Sequence, residues 1–170
     1  MAVDRIGEKN IVLLFLMTTL TLFYFVMFQI NPSLDGVDGM GVLQLQLAFD
    51  KSVGEKIINA WKNLTPLKFQ FAMWVDSLYA LSYGLFFASL ASFTLKSKNM
   101  FTTRYRYLVY LPFLATILDW IENIIEAIFV SSVGSISSTL FFLHSVVASI
   151  KWLCLPMLFI LLILILKRKN

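Results

Sequence analysis

Residues 118–127 read LDWIENIIEA and place Asp119, Glu122, Asn123 and Glu126 inside a run that is otherwise apolar. On a helix these positions are spaced i, i+3, i+4 and i+7, so all four project from one face. A carboxylate near the centre of a bilayer costs about 2.5–3.5 kcal/mol on insertion scales. Three on one span imply that this face meets protein, water or a ligand rather than lipid. Phe113, Ile117, Trp120, Ile121, Ile124 and Ile128 cover the other side and suit lipid. Ala115 and Thr116 continue the polar face towards the start of the run.

The rest of the chain supplies the setting. Of 170 residues, 59% are hydrophobic, too many for a soluble globule of this length. Continuous apolar runs lie near 11–30, 69–94, 107–130 and 138–166. Each reaches the roughly 20 helical residues needed to cross about 30 Å of hydrocarbon. A β-barrel needs short alternating segments, which these runs are not. The sequence therefore predicts one all-α domain over 1–170, a polytopic membrane protein with four transmembrane helices.

The net charge of +4 reads as topology rather than as affinity for nucleic acid. Arg5 and Lys9 precede the first span, and Lys96, Lys98, Arg104 and Arg106 lie between the second and third. Lys167, Arg168 and Lys169 follow the fourth. Four crossings put all of these bases on one side, which the positive-inside rule makes the cytoplasm. Both termini are then expected inside, with 31–68 and 131–137 outside, in the cytoplasmic (inner) membrane of a bacterium. The first run follows Arg5 and Lys9 as a signal peptide would, but its apolar stretch is about 19 residues and no small-x-small site follows, so a retained helix is expected. Cys154 is the single cysteine, which leaves no disulfide within the chain.

In the outer segment, Asn31-Pro32 ends the first span and SLDGVDG over 33–39 holds two Asp-Gly turn signals. The alternating ligands and closing Glu of an EF-hand are missing, so no calcium loop is assigned. VLQLQLAF over 42–49 alternates apolar and polar residues, as a short half-buried strand or extended segment would. Ser52-x-x-Glu55 reads as a capping box that opens a short helix striped by Val53, Ile57, Trp61 and Leu64. Trp61 suggests a helix lying in the outer interface, either as a lid or as an amphipathic connector packed on the bundle.

The second and fourth spans carry the remaining polar signals. Asp76, Ala80, Gly84 and Ala88 follow every four residues, a small-residue ladder that admits another helix closely, flanked by Tyr79 and Tyr83. His144 and Lys151 are seven apart on one face of the fourth span, with Ala148 between them. Pro156 follows, and LFILLILIL over 158–166 reads as a lipid-facing stem. At about 1.5 Å per residue, Asp119, Glu122 and Glu126 lie roughly 20, 24 and 30 Å from Arg106. The same rise puts Lys151 roughly 24 Å and His144 roughly 34 Å from Lys167, and Asp76 roughly 30 Å from Lys96. All six groups then share the outer half of the membrane, with Lys151 level with Glu122 and Glu126 towards the rim. Lys151 neutralises one carboxylate, so at least one of the rest is expected to be protonated, water-exposed or bound to a cation.

Asp76 in the second span, Asp119, Glu122 and Asn123 as Asp-x-x-Glu-Asn in the third, and Lys151 in the fourth resemble the pattern of small uncharacterised bacterial four-span membrane proteins. The resemblance covers the last three spans and implies no activity. The residues themselves lack a phosphate loop, paired histidines for zinc, a nucleophile elbow and the two Glu-x-x-His motifs of a di-iron bundle. No metal site or cofactor is assigned. The expected function is an outer-leaflet polar pocket that binds, and in a catalytic version acts on, a lipid-like or small polar ligand. Asp119, Glu122 and Lys151 are the candidate catalytic groups, with Asp76, Tyr79, Asn123, Glu126 and His144 as ligand-binding groups. Whether it is an enzyme is left open. The alternatives are proton or cation handling along the acidic stripe, and a non-catalytic subunit whose polar face meets a partner span or a second copy.

Overall fold

Long apolar runs free of internal glycine pairs close their own backbone hydrogen bonds, and helices follow. The computed structural model describes residues 5–30, 34, 41–62, 64, 66–132 and 135–168. Helix α1 (Lys9–Phe25) ends in a π-helical turn, Val26–Ile30. Two short helices follow, α2 (Val42–Gln46) and α3 (Lys51–Lys62). Helix α4 (Pro66–Ser97) leads through a 3₁₀ segment, Arg104–Tyr110, into α5 (Leu111–Ser131), and α6 (Ser138–Lys167) completes the described chain. No strand occurs among the described residues.

Three helices are long and apolar enough to cross a membrane by length and composition: Lys9–Ile30, Leu67–Ser97 and Ser138–Lys167. The three acids of α5 set it apart in composition, and the structure buries all of them. Ile117, Trp120, Ile121, Ile124 and Ile128 on its other side stay exposed, while Phe113 packs into the core. Helix α5 packs against both α4 and α6, and α1 lies along α4 with Thr19 its only buried residue between Lys9 and Phe25.

In lipid the apolar effect gives helices little reason to associate, so close packing and hydrogen bonds must hold them. The α4–α5 contact shows both. Ala80 and Ala88 are fully buried, and a side chain added at Gly84 would run into the Thr116 side chain. The Thr116 hydroxyl donates across the helices to the Ala80 carbonyl at 3.0 Å. At one end of the bundle an apolar core of Ala88, Ala91, Leu95, Val109, Leu158 and Leu162 forms. There the bases converge: Lys98 Nζ donates to the Arg168 carbonyl at 3.0 Å, and Arg168 donates to the Tyr105 hydroxyl at 3.1 Å. At the other end Ile57, Ile58, Trp61, Phe69, Phe129 and Phe141 pack together.

Several sequence expectations change. Residues 42–46 form a helix rather than a strand: the Gly41 N–H donates to Gln44 Oε1 at 3.0 Å, and a lone strand in a helical bundle would leave its N–H groups unpaired. Helix α3 is opened by Asp50 rather than Ser52, because the Ser52 N–H donates to Asp50 Oδ1 at 2.8 Å. That bond holds the Asp50 carboxyl below the usual carboxylate range, so its contribution is present at neutral pH and lost on acidification. Glu55 pairs instead with Lys51, at 3.4 Å. Trp61 does not line an interface: it is 1% exposed, and its indole N–H donates to the Leu34 carbonyl. The stem after Pro156 is not wholly lipid-facing, since Leu158, Leu162 and Ile165 pack into the core on one side. The Asn31-Pro32 break, the two Asp-Gly turns and Lys169 lie outside the described residues.

Gly84→Ala should therefore lower stability by about 1–3 kcal/mol, the usual range for overpacking. Thermal unfolding in detergent measures this, and adding Thr116→Ala should recover part of the loss, because the clash partner is then gone.

Candidate functional site

Helical spacing puts the α5 acids on the face turned to α4 and α6, and the structure turns that face fully inward. Asp119, Glu122, Asn123 and Glu126 are all buried, as are His144 and Lys151 on α6. Lys151 Nζ sits 2.7 Å from Glu122 Oε2 and 3.5 Å from Asp119 Oδ1, bridging residues one turn apart. Asp119 also accepts from the Tyr83 hydroxyl at 2.7 Å. Asn123 Nδ2 donates to Asp76 Oδ2 at 2.9 Å and approaches Ser77 Oγ at 3.3 Å. One turn further along α5, Glu126 Oε1 lies 3.2 Å from His144 Nε2.

These contacts form three linked groups. Asp76 with Asn123 faces α4, Asp119 and Glu122 with Lys151 face α6, and Glu126 with His144 closes the end under the Phe129–Phe141 stack. Glu126 is 1% exposed, so it is a core carboxylate and not a rim group. The aromatic pair beside it, held beneath α3 where Gly54 abuts Phe141, keeps water away. One carboxylate oxygen each of Glu122 and Glu126 and one ring nitrogen of His144 lie within 4.8 Å of one another.

A cavity of about 300 Å³ opens beside the Lys151 group. Gln46, Asp76, Tyr79, Tyr83, Asp119 and Lys151 form its polar side, and Val26, Met27, Val42, Leu43, Trp152 and Leu155 its apolar side. Of the residues expected to bound such a pocket, Asp76 and Lys151 line it, whereas Glu122 and His144 stand behind them. A second, apolar groove of about 550 Å³ runs between α4 and α5 past Trp74, Leu78 and Trp120. A void of about 20 Å³ separates Asp76, Asn123 and Glu126 from Ile30 and Leu34.

Tyr83 was legible only as a neighbour of the small-residue ladder, although its position seven residues after Asp76 gave the signal that both share a face. Gln46 had no such signal. Its side chain accepts from the Trp152 indole at 2.9 Å, and the Phe49 N–H donates to Ser145 Oγ at 3.3 Å, so the α2 region is tied across the top of α6.

Fold and site together define an all-helical protein with membrane-length apolar helices around a buried acidic cluster. Comparison with protein-family models, curated proteins and solved structures finds nothing that matches this chain.

Lys151→Met leaves Asp119 and Glu122 facing each other without their cation. Removing one partner of a buried pair costs about 3–5 kcal/mol. Reversible unfolding in mixed micelles should show a loss of that order. Combining it with Asp119→Asn and Glu122→Gln should restore much of the stability, since no uncompensated charge then remains.

Proposed function

We propose that the chain is a four-span integral membrane protein with both termini on the cytoplasmic side, and that its cavity binds the polar end of a lipid-like or small amphiphilic ligand. Helix α5 joins the other three as a span because its acids face protein and its isoleucines face outward. The convergence of Lys98, Arg104, Arg106 and Arg168 at one end supports the orientation through the positive-inside rule. On this reading α2 and α3 lie at the outer surface of an inner membrane of bacterial type, covering the acidic end.

The observation that carries the ligand reading is the two-sided cavity. Its polar side offers two carboxylates, two phenol hydroxyls, one side-chain amide and one ammonium, and its apolar side comes from three different elements. Ligand pockets combine a mainly apolar lining with a few placed polar groups in this way. Carboxylates outnumber the cation, so the polar end of the ligand carries hydroxyl or amino donors. Turnover, where it occurs, uses Asp119, which faces the cavity, while Glu122 acts through Lys151 by holding it in place. A second copy or a partner span would meet the groove between α4 and α5 rather than the cavity.

A relay across the whole membrane receives less support. Towards the basic end the buried polar groups are Thr116, Ser82, Ser89, Ser92 and Thr94, hydroxyls with no ionisable residue among them, packed in the Ala88–Leu162 core.

The test is lipid occupancy. Protein purified in mild detergent and equilibrated with total polar lipid extract should retain an amphiphile near one per chain by mass spectrometry. Asp119→Asn, and Leu155→Trp on the apolar wall, should each lower retention tenfold or more, about 1.4 kcal/mol of binding. Equal retention by wild type and both variants, at the level of empty micelles, would remove the reading.

A further inference from the structure

Glu122, Glu126 and His144 form the one group among the described residues whose side chains meet as metal ligands do. They come from two helices: the acids are one turn apart on α5, and the imidazole reaches in from α6. All three are buried, at 0%, 1% and 0% exposure.

Three atoms in this group stand without a hydrogen-bond partner among the described residues, both carboxylate oxygens of Glu122 and His144 Nδ1. Oε2 of Glu122 ion-pairs with Lys151 at 2.7 Å, which leaves Oε1 a buried, unshared acceptor. His144 Nε2 lies 3.2 Å from Glu126 Oε1, so with the ring proton on Nδ1 this nitrogen offers its lone pair to an ion shared with the acids. What Glu122 Oε1 lacks is a positive group, since a buried acceptor left empty is costly.

Charge points the same way. Asp76, Asp119, Glu122 and Glu126 share one buried ammonium, that of Lys151. A divalent cation held between Glu122 and Glu126 cancels both carboxylates and leaves Lys151 for Asp119. Bonds of about 2.0–2.2 Å at tetrahedral angles put ligand atoms about 3.4 Å apart. The three ligand atoms lie within 4.8 Å of one another, so the side chains close in by about an ångström to share one ion. A void of about 20 Å³ on the Asp76–Asn123 side of Glu126 is large enough for one water.

We propose that Glu122, Glu126 and His144 bind a first-row divalent cation, with Zn²⁺ and Mn²⁺ the best matches to one imidazole and two carboxylates. The site is separate from the ligand cavity, which none of the three lines. No local motif announced it, because His144 is 18 residues from Glu126 and meets it only through helix packing.

The experiment uses the full chain in detergent, stripped with chelator, then titrated with Zn²⁺ or Mn²⁺ and read by calorimetry and elemental analysis. One ion per chain is expected. Affinity should fall at least tenfold in Glu126→Gln and in His144→Asn, and stay unchanged in Glu55→Gln on α3. Co²⁺-loaded wild type should show ligand-field bands in the visible that Glu126→Gln, close to isosteric, shifts or abolishes. No saturable binding by well-folded wild type overturns the site, as does undiminished binding with an unchanged Co²⁺ spectrum in Glu126→Gln. Lipid retention is measured on the same samples, so failure of the ion site and failure of the ligand reading are scored separately.

Discussion

Among the described residues Lys151 is the one buried ammonium beside the three buried carboxylates of α5 and the half-buried Asp76, and the arrangement of α5 against α6 depends on it. A buried ion pair offers little net stability, because taking the charges out of water offsets most of their attraction. Its effect lies in what it forbids. Asp119 and Glu122 are spaced i, i+3, so both reach Lys151 only when α5 presents that one face to α6. Rotating α5 by one residue, about 100°, would carry both carboxylates away from Lys151. The pair therefore sets rotation and register, and Asn123, Glu126 and His144 fall into place as a consequence.

The second constraint is the absence of bulk on α4. Ala80, Gly84 and Ala88 let α5 approach until Thr116 can hydrogen-bond the Ala80 carbonyl. That same approach brings the Tyr83 hydroxyl to Asp119 and Asp76 to Asn123. Small residues and acidic residues are thus parts of one design, in which the first sets the distance at which the second can be satisfied.

What the sequence made legible follows from this. Periodicity located the buried face of α5, the shared face of His144 and Lys151, and the α4 ladder, because those depend on residue spacing along one helix. Depth counted from the basic residues set Lys151 level with Glu122, and the two are in contact. Features made by contact between distant segments were not legible. Alternation in VLQLQLAF fits a strand until the lack of any partner strand is known. Trp61 looks interfacial until Leu34 and Phe69 are placed around it. Glu126 looks like a rim residue until Phe129, Phe141 and His144 close over it.

The same packing decides how the acidic cluster communicates with its surroundings. Phe129 and Phe141 seal the Glu126–His144 end, and the Ala88–Leu162 core seals the other. Asn123 lines the groove between α4 and α5, and a second opening lies at the seam where the π-helical turn of α1, α2 and the middle of α6 meet, at Val26, Met27, Leu43 and Trp152. A π-turn leaves its backbone bonds and side chains out of step with the helix it ends, and such turns concentrate at functional sites. Here it turns Val26 inward beside Tyr79 while α2 is tethered to Trp152 through Gln46. That opening sets apolar side chains from three elements against the carboxylate of Asp119. Asp76, Asp119 and Lys151 thus meet the seam from the side of the bundle, while Glu122, Glu126 and His144 stay behind them.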